Sequence, residues 1–265
     1  LDIGLFSSNL TTNGPTPESY LNFQFFCDIR KIKKSFLRNI DAIIHLAAIS
    51  NDPIGKKFEK ITNEINYKAS KKLFIYAKEM GVKKFVFASS CSMYGSFSSK
   101  PKKENDLLNP LTAYAKSKVA FEQFLSKNNS LTNTISLRFA TACGMSDRLR
   151  LDLVLNDFVT NALTNNLIDI HSDGTPWRPL IDVHDMCRAF DWAIHTKLKS
   201  LPKNFAINVG KNSSNYKIKD LAMAVANKIP NTRISINKNA MPDKRSYSVD
   251  FSLFEKLAKN YIPEY

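Results

Sequence analysis

The segment Val82-Lys-Lys-Phe-Val-Phe-Ala88 completes a strand–helix–strand unit that decides the fold. Its apolar and aromatic residues are typical of a buried strand, and a second buried strand, Asp41 to Leu46, precedes it. Between the two, apolar residues recur every three or four positions from Gly55 to Gly81, which predicts one long amphipathic helix that ends at Gly81. The pattern predicts two strands of a parallel sheet joined by a helix.

The alternation of strands and helices continues on both sides of this unit. Upstream, the aromatic run Tyr20 to Phe26 predicts a strand and Ile32 to Leu37 a short helix. Downstream, a helix is predicted at 113–126 and a strand at 134–139. The chain is therefore predicted to be an α/β protein with a Rossmann-like, doubly wound parallel sheet.

Beyond Gly144 the alternation loosens. The further elements predicted there are helices at 153–164, 182–195 and 218–228 and strands at 168–171 and 205–209. We expect residues 1–150 to form the main domain and residues 151–265 mainly a smaller lobe, with segments at about 181–210 returning to the main domain. Such a lobe would cover the carboxyl edge of the sheet, where ligands of these folds bind.

Composition and charge disfavour a nucleic-acid-binding protein, a membrane-spanning protein and a metal-binding protein. The 265 residues carry a formal net charge of +14, but the lysines are scattered in pairs such as Lys71-Lys72 and Lys83-Lys84. This favours a lysine-rich surface over a nucleic-acid groove, which stays the alternative. The longest apolar run, 41–50, is too short to span a membrane, so we expect a cytoplasmic protein. The cysteines and histidines lack the spacing of metal ligands, and no metal is expected.

The sequence Tyr114-Ala-Lys-Ser-Lys118 places a phenol and an ammonium one helical turn apart. The positive charge of Lys118 favours the phenolate form of Tyr114, which is the form that accepts a proton. This spacing is frequent by chance, but here it follows the strand of Phe85 to Ser90, which ends in hydroxyls at the same edge of the sheet. Ser90 is placed to hydrogen-bond a substrate oxygen, whereas capping of the strand end is its structural alternative.

Several segments resemble those of the extended short-chain dehydrogenase/reductases, and within them the NAD-dependent nucleotide-sugar epimerases and dehydratases, such as the UDP-galactose 4-epimerases. In chain order these segments are Asp41-Ala-Ile-Ile-His-Leu-Ala-Ala48, Phe85 to Gly95, Pro110 to Lys118, Leu137 to Gly144 and Asp173 to Asp185. The resemblance implies NAD as the cofactor and a nucleotide-linked sugar as the substrate.

The resemblance also implies roles for individual residues. Ser90, Tyr114 and Lys118 would be catalytic, and Lys118 would also hold the nicotinamide ribose. The implied cofactor-binding residues are Asp2, Asp28, Ile29, Leu46, Ala47, Ala48, Asn66, Tyr114 and Lys118. An acid at Asp2 favours NAD, because it would repel the 2′-phosphate of NADP. For Asn66 the alternative is an ordinary amide on a helix face.

On the substrate side, the implied binding residues are Ser90, Thr141, Asn156, Arg178, Arg245 and Tyr247. The guanidinium groups of Arg178 and Arg245 suit the oxygens of a diphosphate. Tyr247 lies where relatives gate the sugar pocket, which favours a compact sugar. A surface position on its helix is the expected alternative for Asn156. Arg138 and Arg188 are expected to be structural ion-pair partners instead.

Three departures from the family pattern affect the interpretation. The glycine-rich phosphate loop G-x-x-G-x-x-G does not occur, so we expect the first strand and helix to precede Leu1 in a longer parent, and relatives also continue beyond Tyr265. Cys91-Ser92 stands where dehydratases carry Asp-Glu, which disfavours dehydration. Thr141 stands where many relatives have an asparagine near the diphosphate.

These residues together predict epimerisation through a transient keto-sugar. Tyr114 removes a hydroxyl proton while the carbon-bound hydrogen passes to NAD as hydride. Both return after the keto-sugar has rotated, so that the hydride reaches its opposite face. One alternative is a nucleotide-sugar reductase or dehydrogenase, which uses the same residues with net turnover of NAD(H). The other is a catalytically silent chain that lacks the phosphate loop. The family also implies a homodimer through the helices at 55–80 and 113–126.

Overall fold

A four-stranded parallel sheet forms the centre of the molecule. The computed structural model describes residues 1–50, 55, 57–95, 100–128, 132–197, 202–237 and 245–264. The strands of the sheet are, in spatial order, β1 (Ala42–His45), β2 (Lys84–Ser90), β3 (Asn133–Phe139) and β7 (Asn204–Val209). All neighbouring pairs are parallel, with Ile44 opposite Val86 and Ser90 opposite Phe139. The predicted α/β fold class with a parallel sheet is confirmed.

The helix α1 joins β1 to β2 and contains a wide turn. It consists of α-helical Glu59–Asn63, a π-helical turn Glu64–Ala69 and α-helical Ser70–Glu79. Gly81 follows it with φ of +75°, a conformation that glycine adopts without strain, so the predicted end of the helix is confirmed. The π-helical turn was not predicted, and residue 56 of the predicted helix lies outside the described residues.

The helix α2 (Ala113–Lys127) joins β2 to β3. It packs on the same side of the sheet as α1, where Phe85 and Phe87 of β2 contact Phe121 of α2. Because side chains alternate along a strand, Val86 faces the opposite side and belongs to a second core. Both faces of the sheet are therefore covered by apolar side chains, as a doubly wound sheet requires.

The remaining elements follow Phe139. They are β4 (Thr141–Cys143), α3 (Val154–Asn165), β5 (Leu167–Ile170), β6 (Trp177–Asp182), α4 (Val183–His195), β8 (Asn215–Lys217), α5 (Ile218–Ala226), β9 (Arg233–Ile236) and α6 (Ser252–Leu257). β4, β6 and β8 form a three-stranded sheet, and β5 pairs with β9. A third apolar core lies between α3, α5 and these short strands, with Phe158, Ile168 and Leu221 buried in it.

Three segments of the second half pack against the central sheet. β7 pairs with β3 along its length, and α4 contributes Phe190 and Trp192 to the core on the Val86 side. Phe251 and Phe254, near the end of the described chain, are buried in the same core.

The predicted strand from Tyr20 to Phe26 is wrong. Residues Pro17–Tyr20 form a 3-10 turn, and Phe26 makes only an isolated parallel bridge with Asp2. Tyr20 and Phe23 are 81% and 82% exposed. Aromatic content alone does not make a strand, because a strand needs a neighbour that takes up its backbone hydrogen bonds.

Candidate active site

Tyr114 and Lys118 lie one turn apart on α2. The hydroxyl oxygen of Thr112 accepts a hydrogen bond of 3.1 Å from the N–H of Ala115, which fixes the start of the helix just before Tyr114. Lys118 Nζ lies 5.4 Å from the centroid of the Tyr114 ring. The structure thus brings the phenol and the ammonium together at the carboxyl end of β2.

Lys118 is buried in this position, with 3% of its surface exposed. Its Nζ donates a hydrogen bond of 2.6 Å to the carbonyl oxygen of Ala88 and lies 4.6 Å from the centroid of the Phe87 ring. Burial lowers the pKa of Lys118 to about 7, and the negative charge of Glu122 opposes this effect. Within the described residues, the bond to Ala88 is the one hydrogen bond of Nζ. Two of its three hydrogens are left for a ligand, which suits the hydroxyls of a ribose.

Ser90 is the last residue of β2, two positions after Ala88. Its hydroxyl oxygen accepts a hydrogen bond of 3.2 Å from the N–H of Ser92 and donates one of 3.0 Å to the Ser92 hydroxyl. Ser90 therefore caps the 3-10 turn Cys91–Tyr94 and at the same time stands at the strand end that holds Lys118.

Asn66 connects the chain after β1 to the helix that carries Tyr114. Its side-chain oxygen accepts a hydrogen bond of 2.8 Å from the N–H of Ile49, and its nitrogen donates to the Ile49 carbonyl at 3.0 Å and to the Ser117 hydroxyl at 3.1 Å. Ser117 in turn donates to the Tyr114 carbonyl at 2.6 Å. Asn66 lies in the π-helical turn of α1 and is 2% exposed, so it is not an ordinary surface amide.

The segment that Asn66 holds in place follows directly after three of the implied cofactor residues. These are Leu46, Ala47 and Ala48, which continue from the end of β1. Leu46 is 58% exposed, whereas the two alanines are half-buried. Their position at the carboxyl end of the sheet is where a dinucleotide lies in folds of this class.

His45, the last residue of β1, is a buried and neutral side chain next to the site. Ser70 donates its hydrogen to the Asn66 carbonyl at 2.8 Å, so at 2.7 Å His45 Nε2 is the donor to the Ser70 oxygen. Burial and then the charge of Lys118 lower the pKa of His45 to about 3. β1 therefore presents no positive charge that competes with Lys118 near neutral pH.

The implied adenosine-binding residues lie in the N-terminal segment. Asp2 accepts a hydrogen bond of 2.6 Å from the N–H of Gly4, and its carbonyl oxygen accepts one of 2.8 Å from Cys27. Asp28 therefore follows directly after the residue bonded to Asp2. Its carboxylate caps the turn Ile29–Lys31 and pairs with Arg30 at 2.6 Å, and this hydrogen bond is the main reason that the pKa of Asp28 is lowered. Ile29 is buried.

Three of the implied substrate residues meet at the start of β6. Arg178 Nη1 donates to the carbonyl oxygen of Trp177 at 2.9 Å and to that of Arg245. The guanidinium carbon of Arg178 lies 5.5 Å from the centroid of the Tyr247 ring. Asp243 and Lys244, which precede Arg245 in the sequence, lie outside the described residues.

Thr141 and Asn156 lie where β3 leads into the second half of the chain. Thr141 is half-buried and begins β4 directly beyond the carboxyl end of β3. Asn156 on α3 is 8% exposed, so the expected surface position is wrong. Its amide accepts from the N–H of Gly144 at 3.2 Å and donates to the carbonyl of Arg150 at 3.0 Å, which ties the intervening loop to the helix.

Arg150 is a neighbour of Tyr114 that sequence reasoning missed. Its guanidinium pairs with Asp152 at 2.6 Å and reaches the Ser50 hydroxyl at 3.3 Å. The hydrogen bond that Arg150 donates to Asp152 is the main cause that raises the pKa of Arg150, and the charge of Tyr114 contributes in the same direction. Nothing local in the sequence indicates this, because the loops of Ser50 and Arg150 and the helix of Tyr114 meet only in the fold.

The two arginines expected to be structural do form ion pairs. Arg138 pairs with Glu122 at 2.7 Å, and both side chains are buried. Arg188 pairs with Asp185 at 3.0 Å and with Glu264 at 2.6 Å. Within the described ranges there is no cluster of three or more His, Cys, Asp or Glu side chains that could hold a metal ion. No helix in that part of the chain is long and apolar enough to cross a membrane.

Comparison with known proteins finds relatives of the chain. The model of the NAD dependent epimerase/dehydratase family matches residues 8–210. A protein of Bacillus subtilis (strain 168), described as an uncharacterized UDP-glucose epimerase, is 30% identical over 155 residues, which are 57% of this chain and 48% of the relative. The chain therefore spans about half the length of this relative.

Two solved structures share the fold. The UDP-N-acetylglucosamine 4-epimerase from Methanobrevibacter ruminantium, in complex with UDP-N-acetylmuramic acid, has a TM-score of 0.80 and 24% identity, covering 94% of this chain and 82% of that one. The UDP-glucose 4-epimerase of Thermus thermophilus, in complex with NAD, has a TM-score of 0.74 and 20% identity, covering 91% and 79%.

Proposed function

Because the chain belongs to the NAD-dependent epimerase/dehydratase family, we propose that it is the catalytic part of an NAD-dependent epimerase of a nucleotide-linked sugar. The observation that carries this proposal is the position of Tyr114 beside the buried ammonium of Lys118. Ser90 stands at the same strand end. A proton acceptor, a cation and a hydroxyl at one edge of a parallel sheet suit the oxidation and reduction of an alcohol carbon.

The residues around Lys118 suit a dinucleotide. Lys118 would hold the nicotinamide ribose with its two remaining hydrogens, while Leu46, Ala47 and Ala48 would line the cofactor and Asp2, Asp28 and Ile29 its adenosine end. NAD, when bound, supplies a hydride acceptor that takes hydrogen from a sugar carbon and gives it back. The carboxylate of Asp2 favours NAD over NADP because it would repel the 2′-phosphate of NADP.

Tyr114 would exchange the proton of the sugar hydroxyl. As phenolate it removes this proton, and as phenol it returns the proton when the hydride comes back to the other face of the carbon. Lys118 beside the ring would favour the phenolate, and Arg150, whose charge interacts with that of Tyr114, would act in the same direction. The hydroxyl of Ser90 would hold the same sugar oxygen by a hydrogen bond while charge develops on it.

The cluster of Arg178, Arg245 and Tyr247 would bind the diphosphate and the neighbouring sugar. Guanidinium groups match phosphate oxygens in charge and geometry. Thr141, the first residue of β4, and Asn156, in the first turn of α3, would also contact the substrate. Because the Bacillus relative is described as a UDP-glucose epimerase, UDP-glucose is the first substrate to test.

The residues after Ser90 argue against dehydration. Cys91 is fully buried, its thiol donates to the carbonyl of Arg138 at 3.1 Å, and burial raises the pKa of the thiol. Ser92 is bonded to Ser90. Neither group is an acid or base of the kind that elimination of water from a sugar requires.

The reaction is tested by incubating the chain, preceded by a G-x-x-G-x-x-G strand and helix from a relative, with NAD⁺ and UDP-glucose. Epimerisation predicts that NMR detects the epimeric sugar nucleotide while the absorbance of NADH does not rise. A variant Tyr114→Phe, which keeps the ring, should lose the reaction by a factor of about 100 or more. Accumulation of NADH in step with product would instead establish the dehydrogenase alternative. Turnover that is equal in Tyr114→Phe would overturn the assigned role of Tyr114.

A further inference from the structure

Glu122 continues the row of Tyr114 and Lys118 along α2 by one more turn. Residues four apart face the same side of a helix, so the carboxylate of Glu122 follows the ammonium of Lys118 along this face. Glu122 is 8% exposed. A buried carboxylate destabilises the fold unless it is paired, so Glu122 is expected to have a partner of opposite charge.

The partner is Arg138 of β3. Its Nε lies 3.2 Å and 3.1 Å from the two oxygens of Glu122, and its Nη2 lies 2.7 Å from one of them. Arg138 Nη1 also donates to the hydroxyl of Tyr94 at 3.0 Å and to the carbonyl of Glu104 at 2.8 Å. Burial disfavours the charge of Arg138, but the interactions with Glu122 outweigh burial and raise its pKa.

The register of the sheet places this pair next to Lys118. Arg138 stands opposite Ser89 of β2, one residue after Ala88, whose carbonyl holds Lys118. α2 therefore lies across the ends of two strands, with Lys118 bound over β2 and Glu122 bound over β3. The ion pair fixes the helix against the sheet at the turn that follows the lysine.

We propose that Glu122 is a positioning residue of the candidate site, which together with Arg138 sets the height of α2 over the strand ends and keeps the side chain of Lys118 charged. This proposal rests on the function proposed above, in which Lys118 acts as an ammonium. Glu122 itself touches neither the sugar nor the cofactor in this assignment and acts through Lys118.

Apart from Tyr114, which carries a negative charge only as the phenolate, the other groups near Lys118 do not supply a negative charge. His45 of β1 is neutral near pH 7. Tyr114 is the group whose phenolate form the ammonium favours. Arg138 and Arg150 carry positive charges. Among the described residues that act on Lys118, Glu122 is the one whose charge raises the pKa, against the burial that lowers it to about 7. Loss of this charge would leave most of Lys118 neutral at neutral pH.

The test measures the titration of Lys118 itself, without cofactor or sugar. Protein labelled with 13C at the lysine ε-carbon is titrated by NMR, and the Lys118 signal is identified by its loss in Lys118→Met. Glu122→Gln should lower the pKa of Lys118 by about one unit, because a nearby opposite charge favours the charged form of a lysine. The matched control is Glu104→Gln. Glu104 also contacts the Arg138 network but does not act on Lys118, so its variant should leave the titration unchanged.

A second pair of variants separates charge from packing. Glu122→Asp keeps the carboxylate and should restore the titration of Lys118 to near that of the parent chain. If Glu122→Gln does not fold, the double variant E122Q/R138M removes both charges together, which buried pairs often tolerate. It should still lower the pKa of Lys118, but by less than Glu122→Gln does, because the positive charge of Arg138 is removed as well. An unchanged titration in either folded protein overturns the proposal. Since no turnover is measured, this result is independent of whether the chain is an epimerase.

Discussion

Burial of Lys118 couples the stability of the protein to pH. The pKa of Lys118 is about 7 in the folded chain, below the ordinary value of 10.5 that it regains on unfolding. Between these values the unfolded chain binds a proton that the folded chain does not hold, so the free energy of unfolding rises with pH across this window. Below about pH 7 both states carry the charge and the penalty of burial is complete.

We therefore expect the parent chain to gain stability relative to Lys118→Met as the pH rises from 7 to 10.5, by about 1 kcal/mol per pH unit. Urea unfolding of both proteins across this range measures the difference. Lys116→Met is the matched control, since Lys116 is exposed on the same helix, and it should show no such slope. A constant difference between parent and Lys118→Met would mean that Lys118 stays charged in the fold.

At the scale of whole elements, Asn66 joins three parts of the site. Its amide satisfies both backbone groups of Ile49 and the hydroxyl of Ser117, which is bonded to the Tyr114 carbonyl. Asn66→Ala should lower the free energy of unfolding by about 2 kcal/mol, because the half-buried backbone groups of Ile49 lose their partner. Denaturant unfolding is the measurement.

Asn63→Ala is the control for this prediction. Asn63 is exposed in the same helix, so its variant should stay within about 0.5 kcal/mol of the parent. If Asn66→Ala is as stable as Asn63→Ala, then water replaces the amide at no cost and Asn66 does not hold the elements together.

The elements that sequence predicted well are those with long local patterns. The helix α2 and the strands β2 and β3 lie within one or two residues of their predicted bounds, because continuous apolar runs and helical spacing decide them locally. β4 and β8, with three residues each, were missed, since short strands form through partners distant in the chain. The π-helical turn of α1 was missed for the same reason: the amide of Asn66, which it carries, is bonded to Ile49 and Ser117.

The candidate site was predictable where it depends on local sequence patterns, and not where it depends on contacts between distant segments. The spacing of Tyr114 and Lys118 is a local feature of one helix, and Ser90 ends a neighbouring strand, so these three follow from pattern and resemblance. The closeness of Arg150 to Tyr114 and the pairing of Glu122 with Arg138 join segments far apart in the sequence. Such contacts depend on the crossing of elements, which composition and periodicity do not specify.

At the scale of the whole molecule, the proposed homodimer would use the faces of α1 and α2. Ile61 and Ile75 of α1 are 40% and 41% exposed, whereas Phe124 of α2 is half-buried. We expect a dimer by sedimentation velocity and a shift to monomer in Ile75→Glu, since a buried charge opposes an apolar interface. Leu163→Glu, an equally polar change at an exposed leucine of α3, should leave the dimer intact. A monomeric parent chain at micromolar concentration would contradict the dimer.

The most direct test of the proposed function is NAD⁺ binding by titration calorimetry. It should be measured on this chain and on a form preceded by a G-x-x-G-x-x-G strand and helix from a relative, because that loop supplies backbone N–H groups to a pyrophosphate. We expect the extended form to bind NAD⁺ and its Lys118→Met variant to bind at least about tenfold more weakly, as loss of charge-assisted hydrogen bonds to the ribose requires. Absence of NAD⁺ binding in both forms would contradict the enzyme assignment and leave a catalytically silent protein.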